Sequence, residues 1–289
     1  MRPSYQIIIM FVLAQLMAFI IGAILIDNSE ALGFMSVAPA ESSSGMNVVY
    51  FIVAIVVTAA ALLFVLTLPI RDILIKALEF LSTFVASFVV FFVLLLALGV
   101  DYHDLIALIL SLALYLARLR LKQMRNVLAI IAAAGIGALI GFSLDPLPIV
   151  LLIVVVAIYD MIAVWWTKHM VEFARYFSRT PTTFTIAAQE MTEVRVKRKG
   201  RIVKEIKPSM MQLGTGDLSI PATFIVTLYK YGNFFFPAAA LVGATIGLYF
   251  ILRRAEEEKK VFPAMPSIVL GSLFAFFAAV FVYYVLGML

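Results

Sequence analysis

Long uncharged stretches, separated by short charged connections, are the feature of this sequence that most limits its fold. Of its 289 residues, 64% are hydrophobic and only 13% are charged, about half the charged share of a typical soluble domain. A membrane-spanning helix needs roughly 20 mostly apolar residues. The charges divide the chain into nine such spans, which we place at Tyr5–Ile26, Val48–Leu68, Ala77–Val100, Leu105–Leu121, Val127–Leu144, Pro146–Thr167, Pro208–Tyr229, Phe234–Leu252 and Met265–Leu286. Barrel strands would alternate in short segments, so we expect an all-α polytopic membrane protein.

The basic residues predict how these spans are oriented. If the connections alternate between the two faces, the face that carries Arg2 holds 21 of the 22 Lys and Arg residues, and the other holds only Lys230. The positive-inside rule then places the N-terminus in the cytoplasm and the C-terminus outside. Because the basic residues lie between spans, the net charge of +5 predicts contact with anionic headgroups of the lipid bilayer and no binding of nucleic acid.

The longest and most basic connection divides the chain into three parts. These are an N-terminal six-helix part at 1–168, a basic cytoplasmic loop at 169–213 and a C-terminal three-helix part at 214–289. Within the loop, Val194–Arg198 and Arg201–Ile206 alternate partly in polarity and flank a turn that contains glycine. This pattern predicts a β-hairpin; the alternative is a disordered basic loop held near anionic lipid.

Two aspartates lie alone inside predicted spans. Asp160 and Asp217 are each the only charged residue in an interval of 22 residues, and a carboxylate at such depth is costly unless it is paired, hydrated or protonated. Asp160 lies eight residues before the basic face and Asp217 ten residues after it, which corresponds to about 12 and 15 Å of helix. The two acids are therefore expected at a similar depth on consecutive helices.

Two carboxyl groups close together in a low-dielectric site tend to share one proton. The charged member can then take a proton from water while the neutral member donates one to a carbonyl oxygen, which is general acid–base catalysis of amide hydrolysis. This chemistry needs no metal and no cofactor, and the isolated His103 and His169 do not suggest a metal site. The alternatives are aspartates buried for helix packing, or an ion channel or proton-coupled transporter that uses intramembrane acids.

The residues around the acids predict irregular backbone. Two glycines within Gly214–Asp217 allow close approach by another chain, and Pro221 disturbs the helix that follows. The two prolines of Pro263–Pro266 predict a non-helical segment whose free backbone groups face the acids or a substrate.

Together, these elements resemble the presenilin and signal peptide peptidase family of intramembrane aspartyl proteases over essentially the whole chain. The resemblance rests on Tyr159-Asp160 in span 6, Gly214-Thr215-Gly216-Asp217 at span 7 and Pro263-Ala264-Met265 before span 9. It implies that Asp160 and Asp217 are catalytic. It also implies a substrate-binding frame, for which we select Tyr159, Gly214, Thr215, Gly216, Pro263, Ala264 and Met265. Thr215 and Met265 replace the usual family leucines, which predicts altered substrate preference or rate and not loss of activity.

The resemblance implies transmembrane peptides or proteins as substrates. The predicted orientation is like that of presenilin, whereas Ile220-Pro221 looks more like signal peptide peptidase. The compact inner loop resembles an archaeal or other microbial homologue in the cell membrane of a prokaryote, which works without obligatory accessory subunits, alone or as a homo-oligomer. A type IV prepilin-type peptidase shares the glycine–aspartate chemistry but fits the nine-span layout less well. A channel or transporter would instead show ion flux and no peptide product.

Overall fold

The structure is a computed structural model that describes residues 2–37, 44–121, 123–166, 182–198, 201–258 and 262–287. Apart from short helical turns at Ser29–Leu32, Gly33–Met35 and Tyr229–Tyr231, nine helices lie in these ranges. They are α1 (Pro3–Asp27), α2 (Ser44–Thr67), α3 (Arg71–Ala97), α4 (His103–Arg120), α5 (Met124–Ser143), α6 (Pro146–Trp165), α7 (Gly216–Leu228), α8 (Phe235–Glu258) and α9 (Met265–Val285).

Six of these helices, namely α1, α3, α5, α6, α8 and α9, are long and apolar enough to cross a membrane. Their outward side chains are largely apolar; Leu13, Leu151 and Phe274 are among those at least half exposed. Lipid is the solvent that such a surface requires. The protein is therefore mostly helical and crosses the membrane several times.

The seventh helix is shorter than the span that we predicted from Pro208. A strand continues to Gly214, so Pro208 lies in the strand and α7 begins only at Gly216. Its 13 residues extend about 20 Å, less than the roughly 30 Å of a hydrocarbon core. From Leu218 to Leu228 every residue except Ile220 is buried. The flanking helices α1, α5, α6 and α8 pack around α7, and they shield this short helix from lipid.

The basic connection contains a β-hairpin, as the alternating pattern predicts. Strands β1 (Thr185–Arg198) and β2 (Arg201–Gly214) pair antiparallel, with Thr185 opposite Gly214 at the base and Arg198 opposite Arg201 at the tip. The hairpin is longer than predicted because β2 runs directly into the turn before α7. Residues 199 and 200, which we predicted to form its turn, lie outside the described residues.

The base of the hairpin is attached to the helical bundle through Asn126 at the start of α5. The Asn126 side-chain amide donates to the carbonyl of Ala187 at 2.8 Å, and the Ala187 N–H donates to Asn126 Oδ1 at 3.1 Å. Asn126 thus takes the place of a neighbouring strand at this point on β1. As a result, part of the outer edge of β1 is already occupied.

Helices α8 and α9 approach so closely that only glycine fits at their contact. A Cβ at Gly247 would lie 2.1 Å from the carbonyl oxygen of Ser267, and one at Gly243 would lie 2.1 Å from that of Gly271. Small residues four apart allow this kind of backbone contact between membrane helices. Ser267 is only two residues from Met265, the first residue of α9, so this contact fixes the start of the helix.

Candidate active site

Asp160 lies on α6, five residues before the helix ends, and its residue is only 6% exposed. The backbone N–H of Met265 donates a hydrogen bond to Asp160 Oδ2 at 3.2 Å. Met265 is the first residue of α9, where helix N–H groups have no partner within their own helix. The predicted meeting of the Pro263–Pro266 segment with an acid is therefore confirmed for Asp160.

Asp217 is the second residue of α7 and is half-buried. The backbone of Gly214 lies close to its carboxylate. Pro221 has no N–H, so the carbonyl of Asp217 lacks the donor that an ordinary helix supplies four residues later. The predicted irregularity occurs mainly before the acid, where the strand changes into the helix, while α7 itself continues through Pro221.

The structure brings Asp160 and Asp217 to one site. Their carboxyl groups interact electrostatically, although the two helices begin 70 positions apart in sequence. The N-terminal residue of α9 meets Asp160 at the same site. With two carboxyl groups at one site, one can act as the general base and the other as the general acid in the reaction of a single substrate bond.

The two glycines next to Asp217 have different surroundings. A Cβ at Gly214 would lie 3.4 Å from Asp217 Oδ2, which is ordinary contact distance, so this glycine lies against the acid. Gly216 is exposed, and a Cβ there would meet no heavy atom within 4 Å. Open space beside Gly216 allows another chain to approach the acid.

Thr215, between these glycines, forms hydrogen bonds with Phe184, the residue directly before β1. Its N–H and its hydroxyl both donate to the carbonyl of Phe184, at 2.9 and 3.1 Å. Its own carbonyl accepts from the N–H groups of Leu218 and Ser219 and so begins α7. A leucine at this position could not make the hydroxyl contact.

The other selected residues lie close to Asp160. Tyr159 precedes it on α6 and is half-buried. Pro263 is buried and Ala264 is half-buried, directly before Met265, which is 2% exposed. Because Met265 binds Asp160, the adjacent residues Pro263 and Ala264 are also brought near this acid.

Two buried polar residues near the site were not identified from the sequence. Glu79 on α3 is 1% exposed, forms an ion pair with Arg118, and accepts hydrogen bonds from the N–H and the hydroxyl of Thr183. Gln15 on α1 is fully buried and donates to the carbonyl of Leu218 at 2.8 Å, next to Asp217. For Gln15, an amide inside a largely apolar helix was the available signal, whereas Glu79 follows Arg71, Asp72 and Lys76 in the first turns of α3 and does not stand out.

Within the described ranges, no group of three or more His, Cys, Asp or Glu side chains is arranged to hold a metal ion. The backbone N–H of Met265 donates to Asp160, and the backbone of Gly214 lies close to Asp217.

Comparisons with known proteins match the chain over nearly its whole length. The family model for signal-peptide peptidase and presenilin aspartyl proteases matches residues 8–285. A solved structure of a presenilin family intramembrane aspartate protease, in a C222 crystal form, is 25% identical with a TM-score of 0.67, and the alignment covers 97% of this chain and 100% of that one. A structure with the same description in a P2 form gives 25% identity and a TM-score of 0.64, with coverage of 94% and 96%. No sequence among the curated proteins matches the chain.

Proposed function

This chain belongs to the signal-peptide peptidase and presenilin family of aspartyl proteases, and on that basis we propose that Asp160 and Asp217 are its catalytic pair. It is an aspartic endopeptidase of the intramembrane, presenilin-like kind. The observation that carries the residue assignment is the meeting of two otherwise isolated intramembrane acids at one site, beside the backbone N–H of Met265.

In the proposed reaction, a water molecule between the two carboxyl groups attacks the substrate carbonyl carbon. One carboxylate accepts a proton from the water while the other carboxyl group donates its proton to the carbonyl oxygen. The tetrahedral intermediate then collapses and the C–N bond breaks. The leaving nitrogen takes up the proton that the first carboxylate accepted from water, and the second carboxylate recovers its proton from a hydroxyl group of the intermediate. No bond forms between enzyme and substrate. Met265 N–H donates to Oδ2 of Asp160, so in the proposed reaction Oδ1 is the oxygen that meets the water molecule.

The proposed substrates are transmembrane helices that unwind locally at the site. A helix hides its amides in internal hydrogen bonds, and an unwound segment within a membrane needs new backbone partners. Strand addition to a sheet edge supplies them. Because Asn126 occupies the edge of β1 at Ala187, the substrate strand would pair with the outer edge of β2. That strand ends at Gly214, three residues from Asp217.

The proposed orientation follows from the distribution of basic residues. With the N-terminus in the cytoplasm, the hairpin lies on the cytoplasmic side and the enzyme accepts substrates whose N-terminus is outside. We place the protein in the cell membrane of a prokaryote, acting without obligatory accessory subunits. The proposal requires that the chain alone be active after purification.

The test is reconstitution of the full chain in liposomes with a model single-span substrate. Wild type, Asp160→Ala and Asp217→Ala are compared, and mass spectrometry identifies new peptide termini. We expect discrete cleavage products from wild type and none from either variant. Substantial cleavage by either variant would refute the two-acid assignment. Ion flux measured in the same vesicles tests the alternative: flux that both substitutions abolish, without any peptide product, would favour a channel or transporter.

A further inference from the structure

Glu79 is a buried acid that the proposed reaction does not use. It lies on α3, and Arg118 of α4 forms an ion pair with its Oε1. Thr183 donates to the same oxygen through its backbone N–H and through its hydroxyl, the latter at 2.7 Å. A charged group in the interior is costly unless it is paired and hydrogen-bonded. Glu79 meets this condition only while Thr183 and Arg118 stay in place.

Thr183 is joined to Asp217 by a short series of bonds. The next residue, Phe184, accepts two hydrogen bonds from Thr215, one from its N–H and one from its hydroxyl. Thr215 in turn begins α7, on which Asp217 is the second residue. Every step between Glu79 and Asp217 is therefore either a covalent bond or a hydrogen bond.

The turn that carries Asp217 is held by three contacts: Gly214 pairs with Thr185, Gln15 donates to the carbonyl of Leu218, and Thr215 donates to the carbonyl of Phe184. Gly216 is exposed, and a side chain there would meet no heavy atom within 4 Å. Of these contacts, the two hydrogen bonds to Phe184 come from Thr215, the residue whose carbonyl begins α7, so they help to set where α7 begins. The position of Phe184 depends in turn on Thr183, which Glu79 holds.

We propose that Glu79 is a positioning residue for the reaction, which fixes Asp217 through Thr183, Phe184 and Thr215. This inference rests on the proposed function of Asp217. The carboxylate of Glu79 never touches the substrate. Its loss should change the rate of the chemical step and leave substrate binding nearly intact, because the binding surface around Gly216 and β2 does not include it.

Glu79→Gln keeps the shape and the accepting oxygen but removes the charge that pairs with Arg118. A misplacement of about 1 Å in an active site lowers rates by up to about 100-fold. For Glu79→Gln we therefore expect kcat to fall by about tenfold or more, while KM stays within about twofold of the wild-type value. Thr183→Val removes the hydroxyl while keeping the backbone N–H and should act in the same direction. Thr183→Ser restores the hydroxyl and should restore kcat.

A stability control separates positioning from general damage. Lys230 donates to the carbonyl of Leu144 at 2.8 Å and lies 4.0 Å from Asp145, at the opposite end of α7 from Asp217. Lys230→Met should lower the melting temperature and leave kcat unchanged. Variants are assayed as full chains in liposomes, and kcat is normalised to folded protein.

The outcomes differ for the inference and for the function on which it rests. A fall in kcat for Glu79→Gln and Thr183→Val, with recovery in Thr183→Ser and an unchanged kcat in Lys230→Met, supports the inference. Wild-type kcat in Thr183→Val and in any folded Glu79→Gln overturns it while the Asp217 assignment stands. If Glu79→Gln does not fold, the kcat values of Thr183→Val and Thr183→Ser decide whether the inference stands. Absence of cleavage by wild type would overturn the proposed function, and the inference with it.

Discussion

The contact between α8 and α9 offers a test of how accurately Met265 must be placed at Asp160. Gly247→Ala would put a methyl group 2.1 Å from the carbonyl oxygen of Ser267, whereas real Cβ atoms essentially never approach closer than 3.0 Å. Helix α8 and the start of α9 must therefore separate by about 0.9 Å or more, and such overpacking costs about 1–3 kcal/mol.

The same shift acts on the active site because Ser267 is two residues from Met265. The hydrogen bond from Met265 N–H to Asp160 is 3.2 Å long, and a lengthening of this size would break it. A displacement of about 1 Å costs up to about 100-fold in rate. We expect Gly247→Ala to lose between about tenfold and 100-fold in kcat.

The chain offers two matched controls for this substitution. Gly243→Ala introduces the same 2.1 Å clash, with Gly271, one helical turn farther from Met265, so it should destabilise the protein equally and slow cleavage less. Gly33→Ala meets no heavy atom within 4 Å and should change neither property. Cleavage of a single-span substrate and the melting temperature are measured for all three. A destabilised Gly247→Ala protein that cleaves at the wild-type rate would refute the reasoning.

Two other substitutions and one deletion test separate parts of the account. Burial lowers the pKa of Lys230 below its ordinary 10.5, although the negative charge of Asp145 opposes this. In a pH window below 10.5, the unfolded chain therefore binds more protons than the folded protein. The free energy of unfolding rises with pH in that window. The melting temperature of wild type relative to Lys230→Met should therefore increase toward pH 10.5, and a decrease would contradict the shift. Asn126→Leu removes two hydrogen bonds worth about 1 kcal/mol each and should speed amide hydrogen exchange at Ala187; unchanged protection would show that Asn126 does not hold β1. Deleting Val194–Ile206, the outer part of the hairpin, should slow cleavage without unfolding the bundle, and an unchanged turnover would reject strand pairing by the substrate.

The two acids could be found from the sequence because a charge is rare inside a membrane span. Asp160 and Asp217 each stand alone among apolar residues, and the energetic cost of burying them makes a shared role the simplest explanation. The prolines around Met265 likewise identified a segment with free backbone groups. Local composition was sufficient in these cases because each signal lies within a few residues of the feature it predicts.

The start of α7 could not be found in this way. The interval between Lys207 and Lys230 is uncharged apart from Asp217, and an apolar strand and an apolar helix look alike over so few residues. The strand extends through Pro208 because it pairs with β1, a contact with residues about 20 positions earlier. Charge alone placed the helix boundary eight residues too early.

Glu79 was missed for a different reason. It lies three residues after Lys76, at the edge of the predicted third span, where charged residues ordinarily reach the headgroups. Its burial depends on Arg118 and Thr183, which lie 39 and 104 positions away. Only the tertiary structure brings these partners together.

The most direct test of the central claim is a double-substitution cycle at the two acids. Single-turnover cleavage is measured for Asp160→Asn, Asp217→Asn and the variant that carries both. If the two carboxyl groups act as one unit, each single substitution should lose as much activity as the pair, since effects within such a unit are strongly non-additive. Partial activities in the single variants, with losses that multiply in the double variant, would show that the acids act independently and would contradict the account.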